Sequence, residues 1–235
     1  GSSISEAVTA IYGEDRTFAV PILMNCALAG LVEWNEVPRL PFELAALPRP
    51  VYNIAGLQVV SYALPALIAV GMVIAQNRGR GPVKRTIAGL LRRRLLNILD
   101  SMQPPSGGFL EATPLTAFVA MSLTDCIGPQ QSVVERCHTF LRDQMRPDGS
   151  WPIDANLSVW VTTSALHALY ESGGSPDEMN TREWIRLRQT RSIHPFTGAA
   201  PGGWPWTHHS GGVPDADDTS GAILALGHQA STPDE

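Results

Sequence analysis

The stretch whose reading decides this chain is GGVPDADDTSGAILAL, residues 211–226. Three carboxylates, Asp215, Asp217 and Asp218, fall within four positions, and small and aliphatic residues follow directly. Pro214 fixes its own φ and disfavours helix in the residue before it, so a helix is predicted to open inside the acidic run. Aspartate in a first helical turn is favoured by the free N–H groups and the positive end of the dipole, so capping is one reading of the acids. The other reading rests on the apolar residues behind them. After Thr219 the helix has almost no polar face and is expected to be buried on most sides. Carboxylates crowded at the mouth of a buried helix cannot all ionise cheaply, and one that keeps its proton at neutral pH is a general acid.

Working outward, the same pattern recurs. Unit one has Gln103, Gly107-Gly108-Phe109, then LTAFVAMSL ending at Leu123. Unit two has Phe140-Leu141, Gln144, Asp148-Gly149-Ser150-Trp151, then WVTTSALHAL ending at Leu169. Unit three has Trp184-Ile185, Gln189, Gly202-Gly203-Trp204, then DADDTSGAILAL ending at Leu226. Each unit reads as an outer helix with a glutamine, a Gly-aromatic turn and an inner helix of small and aliphatic residues. Aligning the final leucines puts Thr116, Thr162 and Thr219 in register. The two positions before them are Pro114-Leu115, Trp160-Val161 and Asp217-Asp218. Two units fill those places with apolar side chains and the third with acids, which marks a site.

Helix pairs of this length stack into an α-solenoid or close into an α/α barrel, an all-α fold. Small residues at Ala165, Ala168, Gly221 and Ala222 predict close approach of the inner helices. The glutamine is expected to tie neighbouring units through its amide, and the turn aromatic to pack on the next helix.

Ahead of the repeats, residues 5–32 read as helical with a break near Pro21. Prolines at 38, 41, 48 and 50 predict an ordered, extended loop. Residues 57–76 are the most apolar segment; Gln58, Ser61, Tyr62 and Pro65 interrupt it, so it reads as a core helix and not a membrane span. Residues 83–102 read as a basic amphipathic helix with Leu90, Leu91, Leu95 and Ile98 on the apolar face. Its basic face suits solvent or an anionic membrane surface.

Hydrophobic residues make up 44% and charged residues 17%, which implies extensive burial or a greasy surface. With a net charge of −5 and basic residues clustered only at 84–94, no long basic face exists to track phosphates, so nucleic acid is not expected as a partner. Cys26, Cys126 and Cys137 are odd in number and lack metal spacing, which points to core packing in a reducing interior. No CxxC or HExxH accompanies His208-His209, so no protein-held metal is expected. The chain opens Gly-Ser-Ser and stops directly after the acidic helix, and it reads as a fragment of a longer one.

With these residues in view, the chain resembles the squalene–hopene cyclase family of class II triterpene cyclases. The resemblance is carried by the DxDD motif at Asp215–Asp218 within VPDADDTSGAILAL and by FLRDQMRPDGSW, residues 140–151, which is similar to the family's QW repeat. Looser repeats end at Phe109 and Trp204. Trp34 and VPRLPFEL, residues 37–44, resemble the family's proline-rich loop, so the likeness runs from about residue 15 to 226.

The resemblance implies two α-helical barrel domains around a large cavity. Residues 1–125 would belong to the first, γ-like barrel, and residues 126–235 to the catalytic, β-like barrel, incomplete at its C-terminal side. It implies cyclisation of a linear isoprenoid such as squalene to a hopene-type polycycle, with no metal or cofactor. Asp217 would be the proton donor, with Asp215 and Asp218 hydrogen-bonding around it. Trp34 would be either a cavity aromatic or a core residue. Aromatic faces suit the carbocation, since a base would quench it. Peripheral, monotopic attachment at the cytoplasmic side of a membrane is implied, and a homodimer is compatible with the family.

The chain also departs from the family. Members are about twice this length or more, and the histidine that partners the motif lies beyond this sequence; His208 and His209 do not match it. Unit two has Trp160-Val161-Thr162 where many members have Trp-Asp-Thr. The 235 residues alone are expected to be inactive. The alternative is a non-catalytic α/α-barrel domain binding lipid or protein, in which the acids only cap a helix. Protein prenyltransferase β subunits share such helix pairs but need an Asp, Cys and His zinc site, which Asp125-Cys126 does not make.

Overall fold

Gly13, at φ +57°, ends the first helix, so the predicted break in residues 5–32 falls there and not at Pro21. The computed structural model describes residues 3–13, 15–47, 64–79, 82–174, 178–194 and 197–227. Helix α1 (Ile4–Tyr12) is closed at its start by a Ser3–Glu6 capping box. Helix α2 (Arg16–Leu28) runs through Pro21. A proline there removes one backbone hydrogen bond, but Val20, Leu23 and Met24 are buried beside it, and tertiary packing holds the helix.

The proline-rich segment is not wholly extended. It forms two short 3₁₀ turns, Trp34–Glu36 and Phe42–Ala46. Residues 48–63, which include the start of the predicted 57–76 helix, lie outside the described residues. The rest of that segment is helix α3 (Leu64–Asn77), buried continuously from Ile68 to Ile74, a core helix as expected. Helix α4 (Pro82–Met102) buries Leu95 and Leu99 fully and Leu91 and Ile98 partly. Leu90 is 77% exposed, a departure from the predicted face. One residue is 100° of helix rotation, so the stripe built on 91, 95, 98 and 99 leaves position 90 outside.

The three repeat units then appear in order. Helix α5 (Thr113–Ile127) packs between α3 and α6 (Ser132–Asp143), and α7 (Ser158–Glu171) packs against α9 (Ala216–Gly227), with α8 (Glu178–Leu187) as the third outer helix. Among the described residues there are nine α-helices and no strand, only two isolated bridges, so the fold is all-α as expected. One core gathers α1 to α6, and a smaller one gathers Val159, Leu166, Ile185, Trp204, Ala222 and Ala225.

The repeated residues hold the units together. The Gln103 amide donates to the Gly107 carbonyl at 2.7 Å, within its own turn, and to the Val133 carbonyl at 3.1 Å, in the next outer helix. Arg136 returns a bond to its oxygen at 2.7 Å. Gln189 closes its own turn at Gly202. The two tryptophans add bonds beyond the predicted packing. Trp151 and Trp204 donate their indole N–H back to Leu141 and Ile185, in the outer helix of their own unit, at 2.6 and 2.7 Å.

Two of the three aligned threonines share one role: Thr116 accepts the Phe109 N–H and Thr219 the Trp204 N–H, each at 3.0 Å. Thr162 instead bonds within its helix, to the Ser158 carbonyl. Of the small residues, Gly221 faces Thr163 of α7 and Ala222 is buried, while Ala165 and Ala168 are exposed. Helix α9 is less buried than predicted, because it packs chiefly on α7 and leaves Ile223 and Leu224 exposed.

Burial pushes the Cys126 and Cys137 thiols up to about 12, which keeps both protonated and unreactive. No helix among the described residues is long and apolar enough to cross a membrane.

Two substitutions test the turn. A Cβ on Gly108 would stand 2.3 Å from the Phe140 ring, so Gly108→Ala is expected to destabilise by roughly 1–3 kcal/mol, seen as a lower thermal midpoint. Gln103→Leu strands buried carbonyls and Arg136, at a cost of about 2–3 kcal/mol by denaturant titration. Wild-type stability in either variant would mean that the turn does not hold the units together.

Candidate active site

The acidic run sits where the turn of unit three meets its inner helix. Asp215 pairs with Trp204 in an antiparallel bridge, its N–H donating to the Trp204 carbonyl at 3.3 Å. Its side-chain Oδ1 accepts the Asp218 N–H at 2.8 Å, three residues on, which is the capping bond predicted for a helix opening here. With Thr219 holding the Trp204 N–H, turn and helix start are stitched together on both sides of the acids.

The helix then separates the remaining two carboxylates, because consecutive residues point 100° apart. Asp217 faces outward and is exposed; its carbonyl accepts the Ser220 hydroxyl at 2.9 Å. Asp218 turns inward, is 3% exposed, and its Oδ1 finds no hydrogen-bond partner among the described residues. Burial raises its carboxyl most, and the hydrogen bond to Asp215 and the charges of Asp215 and Asp217 raise it further, to about 7. Desolvation and like-charge crowding therefore leave a substantial fraction of Asp218 protonated at neutral pH. Capping and proton retention coexist, on different members of the motif.

The sequence-predicted residues are not all together. Asp215, Asp217 and Asp218 share one helix start beside the smaller core, whereas Trp34 is half-buried in its 3₁₀ turn and packs on the larger core. Trp160 is exposed on α7. Among the described residues no three His, Cys, Asp or Glu side chains converge as a metal set.

Sequence reasoning misses the loop between Trp204 and Asp215. The Trp206 carbonyl accepts the N–H groups of Val159 and Trp160 at the start of α7, at 2.9 and 3.2 Å. Thr207 is fully buried and donates to Asn156 at 2.7 Å. His208 stacks edge-on against His209, and its pKa lies below the usual value, first through burial and then through the charges of His209 and Arg188. His209 reaches Glu111 of unit one at 3.2 Å. The available signal is the adjacent His208-His209 pair, for which the sequence supports no metal role; nothing in the sequence singles out Glu111.

No protein-family model matches the chain. It is 30% identical over a 260-residue alignment to a probable squalene–hopene cyclase of Sinorhizobium fredii (strain NBRC 101917 / NGR234), covering 85% of this chain and 40% of that protein. It is 26% identical over 167 residues to a drimenyl diphosphate synthase of Streptantibioticus cattleyicolor, covering 66% of this chain and 30% of that one. The chain thus spans less than half the length of either relative. These similarities support a terpene cyclase-like relationship.

The state of Asp218 can be tested without any substrate. A carboxyl raised in the folded state binds its proton more tightly there than in the unfolded chain. Its contribution to stability therefore falls as pH rises from about 3.8 to about 7 and stays unfavourable above that. Asp218→Asn, which is neutral at every pH, is expected to stabilise the protein by roughly 1–3 kcal/mol at pH 8 and to change little at pH 4. Denaturant titration at both values checks it. Equal effects at the two pH values would mean that Asp218 is not a retained acid.

Proposed function

We propose that the complete protein is a class II, proton-initiated terpene cyclase that acts on a linear isoprenoid. The observation that carries this reading is a buried carboxyl with a raised pKa, Asp218, held at a helix start beside two further carboxylates. Protonating an alkene needs a strong acid, and neighbouring carboxyls that share protons are a route to one. Asp217 carries the accessible carboxyl and is the group we assign to meet the substrate. Asp218 holds proton density behind it, and Asp215 fixes the turn by taking the Asp218 N–H.

The carbocation formed needs aromatic faces. Trp34 is our candidate from the resemblance, and Trp160 offers an exposed ring on the helix that α9 packs against. The names of the relatives frame two substrate classes: a triterpene hydrocarbon such as squalene, cyclised to a hopene-type product, and a linear prenyl diphosphate. The apolar isoprenoid chain common to both kinds is best met at a membrane surface, and we assign peripheral attachment on the cytoplasmic side. A chain that only bound lipid would need the geometry of the acids for nothing beyond capping.

Extracts of the full-length protein incubated with squalene, and separately with linear prenyl diphosphates, are expected to contain a cyclised product by gas chromatography–mass spectrometry. Asp217→Asn should reduce turnover by about 10³-fold or more while leaving the helical circular dichroism unchanged. Asp218 must hold its proton to supply Asp217, so the rate is expected to decline as pH rises through about 7. Retained activity in Asp217→Asn would defeat this assignment.

A further inference from the structure

Glu111 is an unusual side chain to find buried. It is 1% exposed, and it follows Leu110 in a second consecutive left-handed backbone conformation, at φ 56° and 57°. Neither residue is glycine, and such a conformation persists only where the surroundings over-determine it. The surroundings here come from all three units. Within unit one the Ser106 hydroxyl donates to Oε1 at 2.6 Å. The Glu111 carbonyl accepts the Ala155 N–H of unit two at 2.7 Å. Oε2 faces Nδ1 of His209, in the loop of unit three, at 3.2 Å.

The loop carrying His209 leads directly to the acids. The His209 carbonyl accepts the Gly212 N–H at 3.1 Å, closing a turn, after which Val213 and Pro214 are buried and Asp215 begins the motif. The His209 N–H is held by Thr207, whose hydroxyl donates to Asn156 at the foot of α7. The same turn lies against unit one: a Cβ on Gly211 would stand 2.9 Å from Pro104, so the backbones approach closely. Besides Glu111, the groups facing this histidine are the His208 ring, 4.5 Å away, and Asn156.

We infer that the Glu111–His209 pair is a positioning device that seats the 205–214 loop on unit one and so sets where the acidic run begins. Glu111 and His209 touch none of the three acids in this arrangement; they act through the turn at 209–212 and the buried Val213-Pro214 step. This deepens the reading of the acidic run as the active site and rests on it. Breaking the pair frees the loop, lets water reach Asp218, and spoils the aim of Asp217.

The test uses the full-length protein with Glu111→Gln, His209→Gln and the double substitution. The protonated carboxyl of Asp218 is followed by infrared titration and assigned by its loss in Asp218→Asn. In wild type the midpoint is expected at about 7. Each single variant should lower it by about one unit, with the double variant no lower than the singles, because the two residues act as one device. Val70→Ala, in the buried stretch of α3, should lower the thermal midpoint and leave the Asp218 titration unmoved. If Glu111→Gln does not fold, His209→Gln, at a half-exposed position, carries the test alone.

An unmoved midpoint in a folded His209→Gln variant overturns the inference, whatever its thermal stability. Where wild type turns over an isoprenoid, the shifted variants should lose about tenfold or more in kcat with KM little changed. A shifted midpoint in a protein that cyclises nothing leaves the positioning role standing and sinks the cyclase reading alone.

Discussion

A threonine hydroxyl on the inner helix accepts the backbone N–H of the turn aromatic in unit one and again in unit three, and much of the architecture hangs on that contact. It satisfies a backbone donor at the junction of two elements and fixes the start of the inner helix against its own turn. In unit one the result is packing. In unit three the same contact pins Trp204 beside Thr219, and the bridge between Trp204 and Asp215 then leaves the acids no freedom in where they start. The site is a repeat junction with its apolar residues exchanged for carboxylates.

That exchange has a thermodynamic consequence. A carboxyl at the third helical position, turned inward, loses hydration without gaining a cation, and the neutral form becomes competitive at physiological pH. Asp215 reduces the cost of the motif by serving as a cap, and Asp217 avoids burial altogether. A protein selected only for stability has little reason to bury an acid without a cation at this point. The buried thiols of Cys126 and Cys137 show the contrast: the same desolvation acts on groups already neutral at pH 7 and simply keeps them so.

The departures from sequence reasoning share one physical origin. Pro21 stays inside α2, because buried neighbours outweigh one missing hydrogen bond. Leu90 is exposed although it belongs to an apolar cluster in the sequence, because the direction of the buried stripe is set by the partner surface. Each case was decided by a contact distant in sequence.

What the sequence by itself determined is the order and type of the elements: alternating outer and inner helices, glutamine-bearing turns between them, and one inner helix in which carboxylates replace the apolar residues in register with Thr219. Periodicity, turn chemistry and register are local properties, and they survive in the chain however it packs. The capping role of Asp215 was also legible, since it depends on spacing alone. Only the tertiary structure decided which acid is buried and which faces outward, that Trp34 packs on one core while the acids sit by the other, and that Glu111 reaches His209 across 98 positions of sequence. Burial, desolvation and long-range pairing depend on which surfaces meet, and no local pattern in one chain specifies that.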